Sequence, residues 1–162
     1  MPVSDLSRIE RSVWIRAPRS RVWRALTDAR EFSRWFGVEM DGPFQPGARV
    51  QMTCTQETAP CTDESPKGIV VFVEVQEMIA EEKFSWRWHP GMPRPEVDYA
   101  REPTTLVEFR LEDHNGGTRV TVTESGFDRI SLTRRAAVFG ENEAGWEHQM
   151  KSVAEYVDRT PR

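Results

Sequence analysis

Residues 17–36 read APRSRVWRALTDAREFSRWF. Pro18 suits a helix start, because its missing N–H would be unpaired there anyway. Val22, Trp23 and Leu26 follow at helical spacing, and Thr27-Asp28 then breaks the pattern. Asp28 with Glu31 three residues on has the form of a capping box, the acid standing in for the usual Ser or Thr. A second short helix carries Phe32, Trp35 and Phe36 on one face, and Gly37 is placed to end it.

On either side of this pair the hydrophobic period is two. Upstream, Ile9, Val13 and Ile15 share one face of a strand and Trp14 lies on the other. Downstream, Gly47 precedes a strand with Val50, Met52 and Cys54 on one face. Thr55 to Lys67 reads as a loop, Gly68 to Val75 as a strand and Glu81-Glu82-Lys83 as a turn. Phe84, Trp86 and Trp88 alternate with Ser85, Arg87 and His89, the clearest strand in the sequence. His89 to Pro103 holds four prolines and reads as a long loop. Val107, Phe109 and Leu111 lead into Asp113-His114-Asn115-Gly116-Gly117, a hairpin turn because Asn and Gly tolerate positive φ. The returning strand puts Val120, Val122 and Glu124 on one face, and Ser125-Gly126-Phe127 closes it.

The chain finishes in a helix. Phe139, Trp146, Met150, Val153 and Val157 form an apolar stripe, and Gly140 and Gly145 place the start of continuous helix near Glu141. The order is strand, two short helices, five strands, long helix. Short links favour antiparallel pairing, and one sheet with helices gathered on one face is an α+β layout.

The run from Ala17-Pro18 through Val22-Trp23 and Ala25-Leu26-Thr27-Asp28 to Trp35-Phe36 resembles the N-terminal signature of START-related SRPBCC domains. More narrowly, it is similar to the family of homologues of the activator of the heat-shock-protein-90 ATPase. Pro46-Gly47, Gly116-Gly117-Thr118 through Gly126-Phe127, and Gly145-Trp146 as the opening of the long helix agree with it. The resemblance runs from about Ile9 to Val157. It implies the helix-grip fold, a curved antiparallel sheet wrapped around a long C-terminal helix with a cavity between them. It supplies no shared catalytic residues, and fold alone does not fix function. The activator itself has two domains, of which this chain resembles one, so direct stimulation of that ATPase is not expected.

Residues 1–162 are long enough for one domain with a real core and too short for two. A net charge of −4 and the lack of a basic stripe give no general attraction to nucleic acid. No apolar run approaches the roughly 18 residues of a membrane helix, and the polar start MPVSDLSRIERS has no secretory h-region. Cys54 and Cys61 have neither zinc nor CxxC spacing; the expectation is two free thiols in a reducing compartment, hence a cytoplasmic protein, with a disulfide closing the short loop as the alternative. No cofactor or metal is expected: there is no GxGxxG, Walker or GxSxG motif and no convergent Cys-His set.

Fourteen residues are expected to line a cavity: Trp35, Phe36, Val73, Phe84, Trp86, Trp88, Tyr99, Phe109, Val122, Glu124, Phe127, Trp146, Met150 and Val153. The plain alternative is core, since burying such a side chain stabilises by roughly 1.5–3 kcal/mol without any ligand. The mouth should lie near His89 to Pro103, with Tyr99 and Met92 able to cover it. Glu124 points inward by parity. It is either a polar anchor or proton-transfer group at a cavity end, with His89 as a conceivable partner, or a strand-end carboxylate at the rim, paired with an arginine or wet.

The leading expectation is binding of an apolar or aromatic small molecule, lipid-like or polyketide-like. A cyclase- or hydrolase-like enzyme using Glu124 is the second reading. A co-chaperone-like interaction module is the third, with outward Trp14 its one nominated contact. Trp14 could equally sit in a homodimer interface; the oligomeric state is not legible.

Overall fold

The computed structural model describes residues 6–54 and 70–160. The chain runs β1 (Arg8–Ile15), α1 (Arg19–Thr27), α2 (Ala29–Phe36), β2 (Val38–Met40), β3 (Arg49–Cys54), β4 (Val70–Ile79), β5 (Lys83–Trp88), β6 (Thr105–His114), β7 (Gly117–Ser125), a 3-10 turn at Phe127–Arg129, and α3 (Leu132–Arg159). All neighbouring strands are antiparallel, in the order β1-β7-β6-β5-β4-β3-β2. The sheet is curved around α3, which is the helix-grip arrangement that the resemblance implies.

Local chemistry explains most boundaries. Asp28 caps α2, its Oδ1 accepting from the backbone N–H groups of Arg30 and Glu31. The reciprocal half of the capping box does not form: Glu31 turns to Arg21, Arg24 and Tyr156 instead. Gly37 ends α2 at φ 81. Asn115 and Gly116, at φ 48 and 77, make the two-residue turn between β6 and β7. Gly117 is required for closeness: a Cβ there would lie 2.4 Å from the Ile15 carbonyl oxygen and 2.9 Å from the Trp14 ring.

Two elements depart from the sequence reading. β2, only Val38–Met40, makes six strands after the helix pair rather than five; three residues are too few to show an alternation. The last helix begins at Leu132, not near Glu141, so Gly145-Trp146 lies within it rather than opening it. Glycine lowers helix propensity by about 1 kcal/mol, which packing of Val138, Phe139 and Asn142 overrides here.

Aromatic rings pack on one another between the sheet and α3. Trp86 and Phe109 lie at the centre, with Phe84, Trp88 and Trp146 around them at centroid distances of 5.4–6.4 Å. Phe32, Phe36 and Phe44 extend the cluster under α2.

The free-thiol expectation is corrected. Cys54, at the buried end of β3, is disulfide-bonded; the other cysteine, at 61, lies outside the described residues, as does the expected Thr55–Lys67 loop. Spacing cannot reveal whether a loop doubles back far enough to bring two sulfurs together. The redox argument for a cytoplasmic location therefore falls. Among the described residues no helix is long and apolar enough to cross a membrane.

Candidate functional site

Glu124 lies in β7 opposite Ile9 on one side and Val107 on the other, and it is completely buried. It is neither at a wet rim nor paired with an arginine. Its Oε2 accepts from Trp88 Nε1 at 2.8 Å and Thr105 Oγ1 at 2.5 Å. Its Oε1 accepts from Trp146 Nε1 at 2.8 Å, and Asn142 Nδ2 lies 2.8 and 2.9 Å from the two oxygens. Burial pushes the Glu124 carboxyl above its usual range, while hydrogen bonds from Thr105, Trp88, Trp146 and Asn142 pull it back, and burial prevails. Indole and amide N–H groups cannot accept, so a protonated Glu124 can direct its hydrogen only at Thr105 Oγ1.

This box fastens the proline-rich segment to α3. Asn142 Oδ1 accepts from the Gly91 N–H at 2.9 Å, which fixes the amide with its NH₂ toward Glu124. Next to it, Glu141 accepts from the Met92 N–H at 3.0 Å and pairs with Arg94 at 2.6 Å. Farther along, Arg134 pairs with Glu102. His89 donates from Nε2 to the Glu102 carbonyl at 3.1 Å and tilts against Tyr99 at 5.3 Å. Desolvation lowers the His89 pKa, keeping the ring neutral at pH 7.

Beside the fastened segment lies a cleft of about 430 Å³. Arg49 of β3, Val71, Phe72 and Glu74 of β4, and Arg87 and Trp88 of β5 form its sheet side. His89, Gly91, Pro93, Tyr99, Ala100 and Thr104 form its loop side. Apolar surface exceeds polar surface in it, the usual make-up of a small-molecule pocket.

Of the fourteen expected lining residues, Trp88 and Tyr99 line this cleft. Trp35, Phe36, Phe84, Trp86, Phe109 and Trp146 pack on one another, and Phe127 packs on Phe139 at 5.1 Å. Val73, Val122, Met150 and Val153 are buried with them. Glu124 and His89 are not brought together: each has the other partners given above. Trp14, 41% exposed, has intramolecular partners, donating to the His114 carbonyl at 2.7 Å and lying under Arg16. The residues that sequence reasoning missed are Arg49, Val71, Phe72, Glu74, Arg87 and Thr104 in the cleft and Thr105 and Asn142 in the box. The strand parity that sent Trp88 inward also sends Arg87 outward, and only the return of the long loop makes that outer row part of a recess.

A family model for "Activator of Hsp90 ATPase homolog 1-like protein" matches residues 16–158. The chain belongs to that family. No curated protein matches it in sequence. Among solved structures it is similar to protein MLL2253 of Mesorhizobium loti, with 23% identity, a TM-score of 0.72, and coverage of 94% of this chain and 98% of that one. It is also similar to CalU16 of Micromonospora echinospora, at 18% identity and TM-score 0.61 over 95% of this chain and 78% of that one. DynU16, described as a putative protein in the dynemicin biosynthetic locus, shares 22% identity at TM-score 0.68; the match covers 95% of this chain and 48% of DynU16. Identities this low establish a shared fold for this Activator of Hsp90 ATPase homolog 1-like chain and leave its chemistry to be argued from its own residues.

Proposed function

We propose that this protein binds an apolar or aromatic small molecule in the cleft between the β3–β5 strand ends and the loop 89–103. The observation that carries the reading is the cleft itself, walled by Val71, Phe72, Trp88, Pro93 and Tyr99 and large enough for a bicyclic compound. Its loop side is anchored to α3 through Asn142 and Glu141, so the recess is held open by the fold rather than by an occupant. The occurrence of DynU16 in a biosynthetic locus agrees with a small molecule as the ligand class.

Glu124 serves in this reading as a brace. A proton-transfer group needs a reactant within hydrogen-bond reach, and both Glu124 oxygens are occupied by protein donors in a fully buried position. Titration with N-phenyl-1-naphthylamine, an uncharged dye that fluoresces in apolar surroundings, tests the reading. Saturable binding should occur and should be lost in Ala100→Trp, which fills the cleft from an exposed loop position. No binding to the native protein, or unchanged binding to the folded variant, would refute it.

A further inference from the structure

We infer that the ligand carries an anionic group, most simply an aromatic carboxylate, and that Arg87 recognises it. This rests on the cleft being a small-molecule site.

The inference comes from the charges in the cleft wall. Arg49, Glu74 and Arg87 are directly opposite one another across β3, β4 and β5, so they form one row on the outer face. One carboxylate thus stands between two guanidinium groups. Glu74 touches Arg49 only at 3.9 Å, and the Arg49 guanidinium lies over the Phe72 ring at 4.0 Å. Arg87 has no hydrogen-bond or ion-pair partner among the described residues, although eleven other arginines there form ion pairs. Arg87 is half-buried, so its charge is partly removed from water. His89, the remaining titratable side chain of the wall besides Tyr99, is kept neutral by burial. Among the described residues the cleft therefore holds one positive charge in excess, on a chain of net charge −4.

An unpaired guanidinium next to apolar walls is suited to one kind of ligand. Its planar fork presents two parallel N–H donors to a carboxylate, and the partly desolvated setting strengthens that contact. Phe72, which is exposed, and Tyr99 supply the faces for a ring system. A neutral ligand of the same shape would bury Arg87 further without compensating it, which is a cost. The row thus selects for charge as well as shape.

The test is displacement of bound N-phenyl-1-naphthylamine by 2-naphthoate and by its uncharged isostere, 2-naphthamide. The carboxylate should displace the dye at about tenfold lower concentration than the amide, the size expected of one charge-assisted contact. In Arg87→Gln, with displacement read against that variant's own dye affinity, the preference should shrink to about twofold or less, and Arg87→Lys should restore only part of it. Equal displacement by both compounds, or a preference untouched by Arg87→Gln, would overturn the anion inference and leave the cleft reading standing. Failure of the dye to bind the native protein would overturn both.

Discussion

Two charged sites built from the same strand ends, the Glu124 box and the cleft at Arg87, treat charge in opposite ways. Inside the grip, Glu124 is fully buried yet surrounded by four donors from three elements: Trp88 from β5, Thr105 from β6, and Asn142 and Trp146 from successive turns of α3. At the rim, Arg87 is half-exposed and has no partner among the described residues. Trp88 belongs to both, its N–H on Glu124 and its position at the end of β5 in the cleft wall. A polar group whose bonds are all met internally holds a structure together; one left unmet where solvent can reach it is available for something else.

This contrast can be broken most forcefully at Glu124. Glu124→Leu keeps roughly the shape and strands the donors of Trp88, Trp146, Thr105 and Asn142. With each stranded donor costing ~1–3 kcal/mol, a loss on the order of 4 kcal/mol is expected in urea unfolding. A loss below 1 kcal/mol would show that the box is not a brace. Trp86→Ala should cost about 3–5 kcal/mol by cavity formation; Trp86 Nε1 has no acceptor among the described residues, so Trp86→Phe should cost much less.

Glu124→Gln is gentler. An amide NH₂ must face one of the existing donors, and about 1–3 kcal/mol should be lost. The same variant sharpens the electrostatic half of the comparison. Glu124 has a folded pKa above its ordinary 4.5, so the native state holds its proton more tightly than the unfolded chain. Its contribution is then fully present below pH 4.5 and is lost as pH rises through the folded pKa. Native-minus-variant stability, followed by urea titration at successive pH values, should fall with rising pH in that window. A flat difference would mean that Glu124 is not perturbed.

The smallest effect on stability is expected at the rim. Arg87→Gln should change unfolding free energy by no more than about 0.5 kcal/mol, as for most surface changes, while altering ligand preference as described above. A large destabilisation would make Arg87 a structural residue and remove it from the site.

Much of this architecture was legible from residue order. Alternation in Phe84–His89 and Val107–Leu111, the Asn115-Gly116 turn and the stripe from Phe139 to Val157 gave the sheet, its hairpin and the helix. Parity placed Glu124 inward. It could not show what Glu124 meets, because the donors are spread from Trp88 to Trp146 and converge only when β5, β6, β7 and α3 are assembled. Asn142 sits among residues that read as solvent-facing helix. The reading also assigned the ligand to the inner aromatic face, since aromatic residues look alike whether they line a cavity or fill it. In the structure most of them pack against each other, and the recess forms where the loop 89–103 crosses the outer row.

The most direct test of the contrast is a crystal structure grown with 2-naphthoate. Ring density between Phe72, Trp88 and Tyr99, with the carboxylate in hydrogen-bonding reach of Arg87 and the Glu124 box unchanged, is the expected result. Ligand lodged between α3 and the sheet, displacing Trp146 or Asn142 from Glu124, would contradict it and return the binding site to the interior.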